Sequence, residues 1–436
     1  MTTADPKRHY WLPFTPNREF RAHPQNFSRA EGIHYWSEAG HEILDASSGL
    51  FCTPLGHGRR EIADAVHAQL LQLDFAGAFI RGHDRAFEAA ERIARLTPAG
   101  LDHIFFGNSG SEAVETAIKM AFAYHRARGE GQRTLLVSRE LAYHGVNLGG
   151  VGLSGIRANR THFGATPGAV VHHMRHTGIP TNRFATGQPE AGSDLAEDLE
   201  RLCGTYGGEN IAAVFVEPVA GSIGCLAPPV GYLERIREIC TAHGILLVFD
   251  EVITGLGRLG HPFAAQAFGV TPDVITMAKA LTNGMQPMSA VAVQSEIYQT
   301  LVEESESPLV EFFHGYTYSG HPAACAAAVA TLDIYQEEKS FELAAKLSKT
   351  FGEGISAMSN IQGVTGARSC GLFGAVDVEP VDGQPGRAGY ETQKKLFDLG
   401  LHLKATGDSL LIAPAFTFTP SDLETLFERL RAGLEG

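Results

Sequence analysis

Short apolar segments alternate with segments of helical periodicity from residue 104 onward, and this alternation constrains the fold more than any other feature. The apolar segments include IFF (104–106), TLLV (134–137), IAAVFV (211–216), ILLVF (245–249) and VITM (274–277). The helical segments include SEAVETAIKMAFAYHRA (111–127) and YLERIREICTAHG (232–244). Alternating β and α segments are typical of a largely parallel sheet that is covered by helices. The sequence therefore predicts an α/β fold.

Two of these predicted strands are each followed directly by an acidic residue. The segments 211–216 and 245–249 are apolar at every position, as expected for strands buried on both faces. Glu217 follows the first and Asp250 follows the second. Ligands of open α/β sheets bind at the carboxyl ends of the strands, so both acids are candidates for a functional site. The alternative is that they are ordinary loop carboxylates.

The C-terminal part of the chain has a different pattern. Residues 320–345 are rich in alanine and predict one long helix. Segments 371–380, 401–404 and 409–416 predict strands, and residues 421–434 predict an amphipathic helix capped by Ser421. We expect a smaller α+β domain here.

Composition excludes several classes of function. The net charge of −14 has no compensating block of Lys and Arg, so we expect neither nucleic acid nor an anionic membrane as a partner. An apolar leader and a run of eighteen apolar residues are both lacking, which predicts a cytoplasmic protein. The six cysteines lie far apart and predict neither disulfides nor a zinc site. His172, His173 and His176 match no metal-ligand spacing and are interpreted as a polar loop after a strand.

The segment GLGRLG (255–260) matches the dinucleotide-binding pattern G-x-G-x-x-G. That pattern requires the glycines to lead directly into a long helix, and a ribose-binding acid about twenty residues further on. Here Arg258 interrupts, His261 and Pro262 follow, and the next acid, Asp273, comes too early. A nicotinamide or flavin site is therefore disfavoured, and we interpret the glycines as a flexible surface loop.

Three features together favour a cofactor that carries a phosphate and a ring. Ser109, Gly110 and Ser111 open a helix directly after a strand, where N–H groups and the helix dipole bind anions, although plain N-capping by Ser109 or Ser111 is an alternative. Asp250 could hold a pyridine nitrogen protonated. Lys279 follows a strand by two residues and could be desolvated enough to act as an amine nucleophile. A lone lysine would more often be a solvated surface charge.

The run LLVFDEVITGLGRLG (246–260), with the P-D-V and A-K of residues 272–279, resembles the signature of class III (fold type I) pyridoxal-phosphate aminotransferases. Further resembling segments follow in the expected order: NSGSEA, YHG (143–145), FVEPVAG (215–221), TNG (282–284) and HGYTYSGHP (314–322). Within that family the chain is most similar to ω-amino acid:pyruvate and amine:pyruvate aminotransferases, through WLPFTPNREF (11–20), SSGL (47–50) and GYTYS (315–319).

The resemblance implies an architecture. A large domain (residues 61–319) would carry a mostly parallel seven-stranded sheet, and a smaller α+β domain would comprise residues 320–436 together with the N-terminal segment 1–60. The protein would be a homodimer, with a tetramer as the alternative, and its active site would lie at the interface. Its cofactor would be pyridoxal 5'-phosphate, with no metal.

The resemblance also implies residue roles. Lys279 would hold the cofactor as a Schiff base and shuttle the proton, while Asp250 would bind the pyridine nitrogen. The other implied cofactor contacts are Tyr143 and Val252 on the two ring faces, His144, Glu217 near the substrate and the cofactor oxygen, and Ser109, Gly110 and Ser111 at the phosphate, joined by Thr317 of the second subunit. The implied substrate contacts are Phe20, Phe51, Tyr143, Lys404 and Leu411.

Three of the substrate positions depart from the β-alanine enzymes. Lys404 stands where that group has an arginine, Leu411 replaces a glutamine and Phe51 replaces a tryptophan. Lysine offers a carboxylate one point charge instead of a bidentate fork. We hypothesise a donor that is larger or less polar than β-alanine, with pyruvate as acceptor. The alternatives are a β-alanine:pyruvate enzyme proper, another pyridoxal-phosphate reaction such as decarboxylation or racemisation, and a nicotinamide oxidoreductase built on residues 255–260.

Overall fold

The computed structural model describes residues 9–163 and 170–436, which form three β-sheets and a set of helices. Residues 1–8 of the predicted N-terminal segment and 164–169 of the predicted large domain lie outside the described residues. The strands are β1 Phe27–Glu31, β2 His34–Ser37, β3 Glu42–Asp45, β4 His103–Gly107, β5 Leu135–Arg139, β6 Val170–Met174, β7 Ile211–Val216, β8 Leu246–Asp250, β9 Val274–Met277, β10 Ser289–Val293, β11 Val364–Cys370, β12 Phe373–Val378, β13 Leu401–His402, β14 Lys404–Thr406 and β15 Ser409–Ile412.

The helices of the described residues vary from one turn to five. They are α1 Asn17–Ala22, α2 Ser48–Phe51, α3 Arg60–Gln72, α4 Asp84–Ala94, α5 Gly110–Ala127, α6 Leu148–Leu153, α7 Arg157–Phe163, α8 Glu197–Tyr206, α9 Tyr232–His243, α10 Ala264–Phe268, α11 Ser295–Tyr298, α12 Pro322–Glu337, α13 Ser340–Ala357, α14 Arg387–Asp398 and α15 Pro420–Glu435. Within these ranges no helix is both long enough and apolar enough to cross a membrane.

The central sheet has seven strands in the order β4-β10-β9-β8-β7-β5-β6. β10 runs antiparallel to both of its neighbours, and the other neighbouring pairs are parallel. Every residue of β7 and β8 is buried, in keeping with their continuous apolar sequences. The predicted α/β fold with a mostly parallel seven-stranded sheet is confirmed. Because β7 and β8 pair directly, Glu217 and Asp250 lie at adjacent strand ends.

Two four-stranded sheets flank this one in sequence. The first has the order β1-β2-β3-β13, in which β3 pairs in parallel with β13 and so joins the N-terminal segment to the C-terminal part of the chain. The second, β11-β12-β15-β14, is antiparallel throughout. The prediction of a single strand at 401–404 is wrong. The chain passes from one sheet to the other at the buried Leu403, so that β13 and β14 are separate strands. The domain boundaries stay a prediction.

Two helix predictions for the C-terminal part need correction. The predicted single helix at 320–345 is divided into α12 and α13 at Lys339, whose φ of 52° cannot continue a right-handed helix. The cap of α15 is Thr419 and not Ser421. Pro420 occupies the first helical position, Thr419 Oγ1 accepts from the N–H of Asp422 at 3.3 Å, and Asp422 Oδ2 accepts from the N–H of Thr419 at 2.7 Å.

The interpretation of residues 255–260 as a flexible surface loop is wrong. Arg258 is only 1% exposed, and its guanidinium donates to the carbonyls of Leu372 and Pro414 at 3.2 and 2.7 Å. Gly257 has a φ of +109°, and a Cβ there would lie 2.6 Å from the ring of Phe341. The loop is thus packed into the core. Its glycines allow a backbone conformation and a close packing that other residues would not, and they do not make the loop flexible.

The histidine prediction also needs correction, since His172 and His173 lie within β6 and not in a loop. Val170 and Val171 precede them in the sequence and β6 pairs in parallel with β5, so the backbone of this polar pair belongs to the sheet. In the described ranges, no group of three His, Cys, Asp or Glu side chains is arranged to hold a metal ion. The six cysteines are free thiols.

Candidate active site

Asp250, the last residue of β8, is a buried carboxylate held by three groups. His144 Nδ1 lies 2.8 Å from Oδ2, while the Thr276 hydroxyl and the Val252 N–H donate to Oδ1, each at 3.2 Å. His144 is itself buried, and its Nε2 has no hydrogen-bond partner among the described residues. These contacts fix the carboxylate in one orientation at the strand end. A carboxylate fixed in this way can hold a proton on the nitrogen of a heterocycle.

Glu217 lies beside Asp250 and is tied to the turn that contains Tyr143. Its Oε1 accepts from the N–H of Tyr143 and its Oε2 from the N–H of Gly221, both at 3.0 Å. Burial raises the pKa of Glu217, and the charge of Asp250 adds to this rise. Burial also raises the pKa of the Tyr143 hydroxyl, with further contributions from Asp250 and Glu217. The charges of the two strand-end acids therefore influence each other and the Tyr143 hydroxyl.

The N-terminus of α5 faces the same turn. Ser109 is the N-cap, since its hydroxyl accepts from the N–H of Glu112 at 3.2 Å, whereas the Ser111 hydroxyl accepts from the N–H of Val146 at 3.0 Å. Gly145 has a φ of +90°, and a Cβ there would lie 2.5 Å from Ser111 Oγ. The N–H groups of a first helical turn have no acceptor within the helix. The start of α5 is therefore a suitable seat for an anion.

Val252 joins this helix start to the Asp250 strand end. A Cβ on Gly110 would lie 3.0 Å from Val252 Cγ1, so a side chain at position 110 would displace Val252. Val252 also donates its N–H to Asp250. The predicted phosphate seat, the ring-facing valine and the acid are therefore close together in the fold.

Lys279 begins a short turn directly after β9 and has a left-handed backbone, with a φ of 48°. Burial lowers the pKa of its ammonium; Cys52, Asp250 and Glu217 oppose this shift, and the charge of Arg258 adds to it. Its Nζ lies 5.2 Å from the centre of the Phe51 ring. A lysine whose neutral form is favoured in this way is an effective amine nucleophile and proton carrier.

Four of the five predicted substrate residues fall into two neighbouring groups, and the fifth, Tyr143, lies beside Glu217. Phe51 and Leu411 belong to one apolar cluster with Phe373, whose ring lies 5.3 Å from that of Phe51. Leu411 is only 1% exposed, so its side chain lies in the buried part of this cluster. Phe20 and Lys404 line a separate cavity of about 390 Å³.

Lys404 connects the two groups because it is the register partner of Leu411 across β14 and β15. Burial lowers the pKa of its ammonium. Lys404 makes no ion pair within the described part of the chain, and no Asp or Glu lines its cavity there. An ammonium in this setting favours an anionic ligand group.

Thr317 is the one predicted site residue that lies apart from the others in the structure. It is exposed, and it makes no hydrogen bond to any of the other candidates described here. The neighbouring Gly315 packs against Phe79, where a Cβ would lie 3.0 Å from the ring.

Asp45 and Arg258 are among the residues near the site that the sequence analysis missed. Asp45 could have been found, because an Asp before Ser47, Ser48 and Gly49 predicts a side chain that bonds the backbone of a turn. Arg258 gave no local signal, since its partners at 372 and 414 are more than a hundred residues away.

A family comparison decides what this arrangement belongs to. The model of the family Aminotransferase class-III matches residues 16–434. The chain belongs to the class-III aminotransferases. Its predicted family, fold type and enzyme class are thereby confirmed.

Relatives of this aminotransferase cover nearly its whole length. It is 48% identical to the omega-aminotransferase of Caulobacter vibrioides, over 97% of this chain and 96% of the relative. It is 44% identical to the beta-alanine–pyruvate aminotransferase of Pseudomonas aeruginosa, over 98% and 96% of the two chains. Among solved structures, the omega transaminase from Pseudomonas jessenii in complex with PMP superposes with a TM-score of 0.91 at 30% identity, over 98% and 96%.

Proposed function

We propose that this aminotransferase uses pyridoxal phosphate to transfer the amino group of a primary amine to pyruvate, which yields alanine and an aldehyde or ketone. The donor is an ω-amino acid or, with preference, a larger or less polar amine. The observation that carries the proposal is that the buried Asp250 ends β8 and Lys279 follows β9, the strand paired with β8, so that the acid and the amine lie at one edge of the sheet. The relatives named for ω-amino and β-alanine–pyruvate transamination support the same reaction.

The residues at the site fit this cofactor. Bound pyridoxal phosphate supplies an aldehyde carbon that takes up the amine and a ring that withdraws electrons. The helix start at Ser109, Gly110 and Ser111 suits its phosphate, and Asp250 suits its ring nitrogen. Tyr143 and Val252 are the candidates for its two ring faces. The Pseudomonas jessenii relative, which was solved in complex with PMP, supports this class of cofactor.

Each residue of the site has a definite task under this proposal. Lys279 would carry the proton between the substrate and the cofactor, because the lowered pKa of its ammonium favours the neutral amine. Asp250 would hold the proton on the ring nitrogen, and His144 holds Asp250 in place. Glu217, whose pKa is raised, remains beside the reacting centre with a reduced tendency to ionise.

The pocket supports an apolar donor together with an acidic acceptor. Phe51, Leu411 and Phe373 present an apolar cluster beside Lys279, which suits a hydrocarbon group on the donor. Lys404 supplies a single positive charge that suits the carboxylate of pyruvate. The same ammonium favours one further candidate, transamination of β-alanine itself.

We infer that the protein is a homodimer, since it has an exposed apolar surface in two adjacent segments. Ile80 is 91% and Phe313 is 93% exposed, and Phe79, Leu309 and Val310 are also exposed. The segments meet where Phe79 contacts Gly315 and where the Phe75 and Tyr318 rings lie 5.9 Å apart. An apolar surface of this kind marks an interface, and a second copy there would bring Thr317 to the partner's cofactor. The cytoplasmic location stays a prediction.

Absorbance spectroscopy of the holoenzyme tests the proposed reaction. An amine donor should bleach the visible band of the cofactor, and pyruvate should restore it with release of alanine. Lys279→Ala should lack both responses. Release of carbon dioxide, or inversion of the donor without a keto product, would contradict the proposal, as would nicotinamide-dependent activity that survives Lys279→Ala.

A further inference from the structure

The turn that carries Phe51 has an unusual backbone. Ser48, Gly49 and Phe51 have φ values of 46°, 69° and 63°, so three of its residues are left-handed and two of these carry side chains. Such conformations persist only where the surroundings enforce them, and they cluster at functional sites. We call residues 47–52 the Phe51 turn.

Asp45 is the main group that enforces this backbone. Its carboxylate is only 2% exposed and accepts from the N–H of Ser47 at 3.0 Å and from the N–H of Gly49 at 2.6 Å. His57 Nε2 lies 2.9 Å from Asp45 Oδ2 on the other side. Burial by itself would raise the pKa of Asp45, but its hydrogen bond to His57 and the nearby histidine charges bring the pKa below its usual value. The carboxylate is therefore held as an anion inside the turn.

The opposite side of the turn is fastened to the C-terminal sheet. Ser48 Oγ donates to the carbonyl of Ala413 at 2.7 Å and accepts from the Arg258 guanidinium at 3.4 Å. With both sides held, the Phe51 ring lies 5.2 Å from Lys279 Nζ. The position of Phe51 relative to the reacting amine thus depends on Asp45.

We propose that Asp45 is a positioning residue for donor specificity, which fixes the Phe51 ring as a rigid wall beside Lys279. The inference rests on the proposed transamination and identifies what sets the shape of its donor pocket. Asparagine at position 45 offers one acceptor oxygen instead of two, so the N–H of either Ser47 or Gly49 loses its partner. The Phe51 turn then becomes more mobile and holds the Phe51 ring less firmly. Small donors, which need the wall for orientation, should then be affected more than bulky ones.

A double-mutant cycle on the holoenzyme tests this inference. Asp45→Asn should lower kcat/KM for a small amine relative to a bulky one on the order of tenfold, and the change should vanish in a Phe51→Ala background. Asp198→Asn is the matched control, since Asp198 is also a buried acid that accepts a backbone N–H, that of Arg175. The control should leave the donor ratio unchanged. Equal effects of Asp45→Asn with and without Phe51 would overturn the inference.

Cys52 supplies a second measurement that does not depend on activity. It ends the Phe51 turn, and it is part-exposed while the other five cysteines are buried. Alkylation by iodoacetamide, followed by peptide mapping, should be several-fold faster at Cys52 in Asp45→Asn and unchanged in Asp198→Asn. An unchanged labelling rate in Asp45→Asn would overturn the inference. Labelling that accelerates in a protein with no transaminase activity would instead count against the proposed function alone.

Gly49→Ala keeps the test available if Asp45→Asn does not fold. Alanine is strained at a φ of 69°, so it disturbs the same turn while Asp45 stays intact. This variant should change the donor ratio and the Cys52 labelling in the same direction. A folded Gly49→Ala protein with wild-type values of both would overturn the inference.

Discussion

His144 Nδ1 lies 2.8 Å from Asp250 Oδ2, and both side chains are buried. With a proton on Nδ1, the imidazole donates to the carboxylate and fixes its orientation. Under the proposed function, His144 would act on the cofactor through Asp250. In the proposed arrangement, the histidine orients the acid and the acid would bind the ring nitrogen.

Replacing Asp250 should slow transamination more than replacing His144. Asp250→Asn should lower kcat by about 10²-fold or more, because it removes a preorganised charge from the reacting centre. His144→Phe should cost about 10- to 100-fold, as is typical for a residue that orients a ligand-binding group. Steady-state rates with one donor and pyruvate provide the measurement. Thr276→Val, which removes only the 3.2 Å hydroxyl contact to Asp250, should cost less than either.

Glu251 should make the stability of the protein depend on pH. Burial raises its pKa from the usual 4.5 to about 7, although the N–H groups of Ala264 and Ala265 and the Thr254 hydroxyl oppose this shift. The folded chain then binds the proton more tightly than the unfolded chain. This stabilising contribution is fully present below pH 4.5 and is lost as the pH rises through about 7.

Glu251→Gln removes this titration and so isolates it. The unfolding free energy of the wild type minus that of Glu251→Gln should fall between pH 5 and 8, on the order of 1–3 kcal/mol. Urea denaturation of both proteins at several pH values provides the measurement. A difference that stays constant with pH would contradict the raised pKa.

Subunit mixing tests whether Thr317 serves the site of the other subunit. Thr317→Ala should weaken cofactor binding, and Lys279→Ala should abolish activity. If Thr317 acts across the interface, a hybrid of the two variants carries both defects in one site and leaves the other intact. Mixing the two variants should then give more activity than the sum of the two measured separately. No recovery in a mixture that demonstrably forms hybrids would place Thr317 in its own subunit's site.

The donor pocket can be tested by restoring the polar residues of the β-alanine enzymes. Lys404→Arg combined with Leu411→Gln should raise kcat/KM for β-alanine relative to a bulky aryl amine by about tenfold, since a bidentate fork and an amide then meet the donor carboxylate. Lys394→Arg is the control, because Lys394 lines the same cavity but is already paired with Glu19 at 2.8 Å. A ratio that does not move in the double variant would mean that these positions do not set donor choice. Thermal stability should be monitored, since Leu411 is buried.

Much of the cofactor side could be predicted because its signals are local. The apolar runs of β7 and β8 identify buried strands, and the acids that follow them lie at the sheet edge by geometry alone. Ser109 before an amphipathic segment identifies a helix start in the same way.

The remaining features depend on contacts distant in sequence. Arg258 is buried because carbonyls at 372 and 414 accept from it, and residues 401–404 divide because each half pairs with a different sheet. Lys339 interrupts an alanine-rich pattern by its backbone conformation, which hydrophobic periodicity does not reveal. The burial of Leu411 depends on the cluster that it forms with Phe51 and Phe373, which are distant from it in the sequence.

Reduction of the holoenzyme with borohydride, followed by peptide mapping, tests the central assignment most directly. Borohydride converts the bond between a lysine amine and an aldehyde cofactor into a stable one, so the labelled peptide identifies the lysine that held it. We predict a single cofactor-modified peptide that contains Lys279, with loss of activity, and no modified peptide in Lys279→Ala. Modification at another lysine, such as Lys404, or the absence of any modified lysine would contradict the account.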